Sequence, residues 1–114
     1  MSDFCMIESA FDNEEDVSII VNKLLDNKLV SSSQVVNSES YWNFKQQRES
    51  ARELLLLMKT KKKHIKEIYE TIKSVHSYEC FEFAVFDLTS ESLEVTLYKN
   101  FVVPGCGFDI IINI

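Results

Sequence analysis

Glycine and proline are nearly missing from this 114-residue chain: two glycines and one proline, all inside Pro104-Gly105-Cys106-Gly107. An average chain of this length carries about a dozen or more. Phosphate-cradling loops and dinucleotide fingerprints need glycine so that backbone can approach a phosphate, and a nucleophile elbow needs it to turn sharply. None of these can be written here, which excludes the nucleotide hydrolases, dinucleotide oxidoreductases and elbow-serine hydrolases built on them. Cysteine is also scarce. Cys5, Cys80 and Cys106 are odd in number and far apart, a usage that fits a reducing compartment better than a disulfide framework or a zinc knuckle, so a cytoplasmic location is expected. No apolar run approaches the roughly 18 residues of a membrane span. The start, Met1-Ser2-Asp3-Phe4-Cys5, has neither a basic region nor an apolar core of a signal segment, so no membrane is expected. Positive charge is in deficit, 12 Lys and Arg against 18 Asp and Glu for a net charge of −6. That balance disfavours a partner whose phosphates must be neutralised, and no nucleic acid is expected.

What is present is a globular composition, 46% hydrophobic and 26% charged, and a length suited to a single domain over residues 1–114. Phe4, Met6 and Ile7 suggest a buried first strand over Asp3 to Phe11. Asp12, with Glu15 three residues on, predicts a helix start, and Val17, Ile20, Val21, Leu24 and Leu25 form its apolar stripe. Asn27 and Lys28 suit its end. Leu29 to Phe44 reads as a long, polar, extended segment. The charged run between Asn43 and Arg52 reads as a solvated turn, and Leu54 to Met58 as a strand covered on both faces. Thr60 offers a cap for a second helix carrying Ile65, Ile68, Tyr69, Ile72, Val75 and His76. From Glu79 to Leu88 the chain is aromatic and β-rich, with Phe81, Phe83 and Val85 on one strand face. The order β-α-β-β-α-β predicts an α+β, ferredoxin-like split sandwich: a four-stranded antiparallel sheet with two helices on one face. Ser90 to Phe101 satisfies both a helical and a strand pattern. The apolar end from Phe101 either adds a strand or packs on a partner subunit.

Chemistry concentrates in His76-Ser77-Tyr78-Glu79-Cys80-Phe81-Glu82, where the second helix gives way to the fourth strand. Imidazole, carboxylate and thiol together suit copper or zinc, and His76, Glu79 and Cys80 are the candidate ligands. On an extended strand Glu79 and Cys80 point to opposite faces, so a closed site needs further ligands. The competing reading places His76 at a helix end and Cys80 in the core. Lysines 59, 61, 62, 63 and 66 with His64 read as an anion site or as a solvated face. Tyr41, Trp42 and Phe44 read as a ligand platform or as interface. No serine or histidine pairing supports catalysis, and no catalytic residue is assigned.

These strings resemble the CutA family of divalent-cation tolerance proteins from about Phe4 to Leu88. The family's first-helix ending is similar to Lys28-Leu29-Val30, its aromatic strand to Ser40-Tyr41-Trp42, and its apolar strand closing in Lys-Thr to Glu53 through Thr60. Its His-Pro-Tyr-Glu-Val-Pro-Glu signature resembles His76 to Glu82, with Ser77 and Phe81 in place of the prolines. Ser32 stands where the family carries a cysteine, and residues 89–114 diverge. The resemblance implies a homotrimer with sheets joined edge to edge, and weak binding or sensing of Cu(II) or another divalent cation. It also implies no enzymatic activity, and leaves room for an unidentified protein partner. A second reading is a trimeric signalling protein like the PII regulators, binding a nucleotide between subunits. RNA-recognition and acylphosphatase-like readings of the same element order lack, respectively, a basic aromatic third strand and an arginine before Arg48.

Overall fold

The structure, a computed structural model, describes residues 3–78, 80–88 and 95–101, the last stretch as backbone only. Strand β1, Phe4–Phe11, alternates: Cys5, Ile7, Ser9 and Phe11 are fully buried on one face, while Phe4, Met6 and Glu8 lie on the other. Helix α1, Glu14–Asp26, buries Val17, Ile20 and Leu24. Its cap is Asn13, whose side chain accepts the Asp16 N–H at 2.8 Å. Asp12, the residue expected in that role, instead accepts the Ser77 hydroxyl at 2.9 Å and the Asn13 amide at 2.7 Å. The helix ends at Asn27 and the left-handed residue is Lys28, φ 56°.

Strands β2, Ser32–Phe44, and β3, Gln47–Lys61, form one long hairpin, paired from Ser32 opposite Lys59 out to Phe44 opposite Gln47. The connection is two residues, Lys45 and Gln46, at φ 49° and 67°. The expected solvated turn up to Arg52 is therefore strand. Its pairs extend past the helices, where exposure on both faces leaves no apolar alternation to read. Leu56 and Met58 are buried against the helices and Leu55 and Leu57 half-buried on the opposite face, so β3 is covered fully on one side only.

Thr60 is not a helix cap. It closes β3, buried, with its hydroxyl donating to the Leu29 carbonyl. One 3-10 turn, Lys62–His64, precedes helix α2, Ile65–Val75, which has no side-chain cap bond at its start. Strand β4 is shorter than expected, Ala84–Leu88, because Phe81 and Phe83 reach the core from irregular backbone and pack on Tyr69 at ring distances of 5.6 and 5.2 Å. Strand β5, Val95–Phe101, pairs antiparallel with β4 and resolves the helix-or-strand ambiguity of that stretch in favour of strand. Residues 89–94 and the end beyond Phe101 lie outside the described residues.

The antiparallel sheet runs β2-β3-β1-β4-β5. Its first four strands and two helices are the ferredoxin-like split sandwich, and β5 extends its edge. The core cluster joins Ile7, Phe11, Leu56 and Met58 of the sheet to Ile20, Leu24, Ile68 and Ile72 of the helices. Each such side chain contributes about 1.5–3 kcal/mol on burial.

Candidate functional site

The helix α2 hydrophobic stripe ends at Val75, and the next residue turns the chain back across the end of β1. His76 lies face to face with Phe11 and Phe81, at ring-centroid distances of 4.2 and 4.8 Å, and tilted against Tyr78 at 4.7 Å. Its ring nitrogens are both engaged. Nδ1 accepts the Tyr78 N–H at 3.0 Å, which leaves the proton on Nε2 to donate to the Ala10 carbonyl at 2.7 Å. Burial pushes the His76 pKa below its ordinary value, opposed by the Ala10 carbonyl and the charges of Asp16, Asp12 and Glu53. The imidazole is thus held neutral as a clasp between helix end and strand end. Ser77 completes the clasp toward α1: its N–H donates to Asp16 at 3.1 Å and its hydroxyl to Asp12, whose pKa falls below normal through bonds from Asn13 and Ser77.

Tyr78 carries the connection to the other sheet face. Its hydroxyl donates to Glu53 Oε2 at 3.0 Å, and burial with that bond drives the phenol pKa well above normal. Glu53 in turn faces Glu82, which is hydrogen-bonded to Glu8 and pinned by a 2.6 Å bond from the Ser9 hydroxyl to its carbonyl. Burial, the Glu8 bond, and the charges of Glu8 and Glu53 raise the Glu82 pKa to about 8. Two carboxyls sharing one proton can donate oxygen ligands to a hard or borderline cation once that proton leaves.

His76 has both ring nitrogens engaged, and Glu79 lies outside the described residues. Cysteine count alone pointed to reduced thiols; Cys5 is one, free and buried, its pKa raised to about 11 chiefly by burial. Among the described residues no group of three His, Cys, Asp or Glu side chains converges to hold an ion. Glu8 and Glu53 escaped sequence reasoning. The available signal was a lone carboxylate in the apolar run of β1, which the register pairs with Ala84, two residues beyond the signature's end at Glu82.

The lysine run lies at the opposite end of the sheet, where Lys62 pairs with the buried Asp87 at 2.6 Å. Tyr41, Trp42 and Phe44 are exposed on the hairpin. An open cleft of about 390 Å³ separates the β1–α1 turn from the hairpin, lined by Asp12, Glu14, Glu39, Glu53 and one cation, Arg52.

The sequence profile of the CutA1 divalent ion tolerance protein family matches residues 5–101, from the first residues of β1 to the last of β5. The chain belongs to the CutA1 family. The divalent-cation tolerance protein CutA of Thermotoga maritima is 30% identical over 97 residues, spanning 85% of this chain and 93% of that protein. The CutA1 fold is matched by the structure of the periplasmic divalent cation tolerance protein CutA from Archaeoglobus fulgidus, with a TM-score of 0.71 and 21% identity over 80% of this chain and 88% of that one. CutA1 from Shewanella sp. SIB1 gives a TM-score of 0.74 at 18% identity, over 79% and 85%. The CutA1 match covers the signature His76 to Glu82, whose histidine here is a structural clasp. Among the described residues no helix is long and apolar enough to cross a membrane.

Proposed function

We propose that this CutA1-family chain is a cytoplasmic homotrimer that binds or senses Cu(II) or another divalent cation, with no catalytic step of its own. The observation that carries the reading is the carboxyl group of Glu82, bonded to Glu8 and facing Glu53, inside the family's signature segment. His76, Glu79 and Cys80 are the further ligands to test. An ion held by the Glu82 and Glu8 carboxyls would have to displace their shared proton, so binding would be weak and would strengthen as pH rises. The trimer is supported by the sheet face opposite the helices, where Phe4 is 47% and Val36 44% exposed, and by the aromatic hairpin, both association liabilities in a lone chain. The nucleotide-binding reading is disfavoured by the cleft, whose four carboxylates repel phosphate.

Native mass spectrometry before and after one equivalent of copper(II) is the test. A trimer retaining the ion, with retention lost in Glu82→Gln, supports the reading. A trimer that keeps no ion at pH 8 leaves the assembly standing and sinks the metal assignment; a monomer sinks the assembly.

A further inference from the structure

The charges of this acidic chain are sorted between the two ends of the sheet. At the end where β1 begins, Phe4 pairs with Lys61, the Lys62 N–H donates to the Asp3 carbonyl, and Thr60 bonds the Leu29 carbonyl, which brings Lys28 alongside. Lys28, Lys59, Lys61, Lys63 and Lys66 are exposed there, and none forms an ion pair among the described residues. Among the described residues the acids at that end are Asp3, Asp26 and Glu67, with Asp87 consumed by Lys62. At the end where β1 stops, Asp12, Glu14, Glu15 and Glu39 are exposed and Glu53 is half-buried. The cations there are Arg52, matched to Glu39 at 3.5 Å, Lys73, and Lys45 and Arg48 farther out on the hairpin arm beside Glu49. β1 has eight residues, so the two poles are separated by roughly 23 Å, beyond the ~8–10 Å Debye length at ordinary ionic strength, and do not neutralise each other through solvent.

A pole of one sign and a concave pole of the other on one molecule are complementary surfaces, and they are not related by a twofold axis. Contact between them is head to tail and leaves a free pole at each end. We propose that copies of this chain dock end to end, the lysine pole of one against the acidic cleft of the next, in salt-sensitive, open-ended stacks. The occupant is a second copy because the cleft's carboxylates and the lysines projecting from the 3-10 turn and α2 are opposite in sign. The cleft, about 390 Å³, has room for long lysine side chains.

Sedimentation velocity of the full chain at ~20 mM and ~500 mM salt tests it, since the Debye length falls several-fold between the two. The high-salt size reads the basic unit, trimer or not. The low-salt weight-average mass is expected to at least double. The variants Lys63→Glu/Lys66→Glu and Glu14→Lys/Glu15→Lys change exposed side chains only, and each is expected to stay at the basic unit alone. Their equimolar mixture, in which one variant supplies the acidic pole and the other the basic pole, is expected to grow again. A wild-type unit of equal size at both salts assigns the lysine pole to some other anion and overturns the proposal. Growth that persists in either variant alone, or a mixture that does not grow, also overturns it.

Discussion

One strand, β3, runs through two different environments. From Leu54 to Lys61 it is backed by helices, with Leu56 and Met58 fully buried; from Gln47 to Glu53 it belongs to an arm whose residues are exposed or half-exposed. The backbone ladder is continuous, yet the source of stability differs. In the helix-backed half, burial of side chains such as Phe11, Ile7 and Ile72 supplies the driving force and the clasp at His76 fixes its geometry. In the arm, where Tyr41 is 65% exposed and Trp42 and Phe44 42%, only hydrogen bonds and cross-strand pairs hold the hairpin. A two-stranded ribbon of that kind is marginal in water. A single β-strand thus serves a core at one end and offers a surface for association at the other.

The comparison breaks most sharply in the core. Phe11→Ala removes a fully buried ring and the stacking partner of His76, and is expected to destabilise the fold by about 3–5 kcal/mol in urea melts. His76→Phe keeps the stack but orphans the Ala10 carbonyl and the Tyr78 amide, at a cost of about 2–3 kcal/mol. The folded-state pKa of His76 lies below its ordinary 6.5, so the unfolded chain binds the proton more readily. Wild-type stability should therefore fall as pH drops below that value, and His76→Phe should lose that acid sensitivity.

Glu82→Gln works in the opposite direction. Its carboxyl is raised from 4.5 to about 8 in the folded protein, so stability is lost as pH climbs through that window. The variant is expected to be about 2 kcal/mol more stable than wild type at pH 8 and equal to it at pH 4, by urea titration at both. The gain is set below the full shift because the group is partly solvated. If the variant is no more stable at pH 8, Glu8 and Glu82 do not share a proton.

In the arm the expected effects are smaller. Gln46→Gly relieves a left-handed conformation that disfavours side chains, and should raise the melting temperature through about 0.5–1 kcal/mol. Trp42→Ser is expected to change the stability of the isolated chain by less than about 0.5 kcal/mol, while lowering the oligomer size seen by light scattering. An unchanged oligomer with a strongly destabilised chain would reverse the distinction between core and arm.

Much of the helix-backed half was readable from residue periodicity. The stripe Val17, Ile20, Leu24 and the stripe Ile68, Ile72 both face the core, and β1 appeared where the apolar run placed it. The arm was misread as turn because Gln47 to Arg52 has no buried face and its connection uses Lys45-Gln46 in place of the usual Asn-Gly signal. The candidate site was legible as a string but not as a geometry. His76, Tyr78 and Glu82 stand together in sequence, yet their partners Ala10, Glu53 and Glu8 are 25 to 74 residues away.

Sequence by itself determined the fold class, the two amphipathic helices and the family, because periodic burial and short strings such as His76 to Glu82 are local properties of the chain. Tertiary structure alone decided that His76 is a clasp, that Glu82 meets Glu8, that Val95–Phe101 is a strand and that positive and negative charge part to opposite ends. Those outcomes depend on strand register and on which nitrogen or oxygen a neighbour occupies. Long-range pairing fixes both, and no local spacing encodes them.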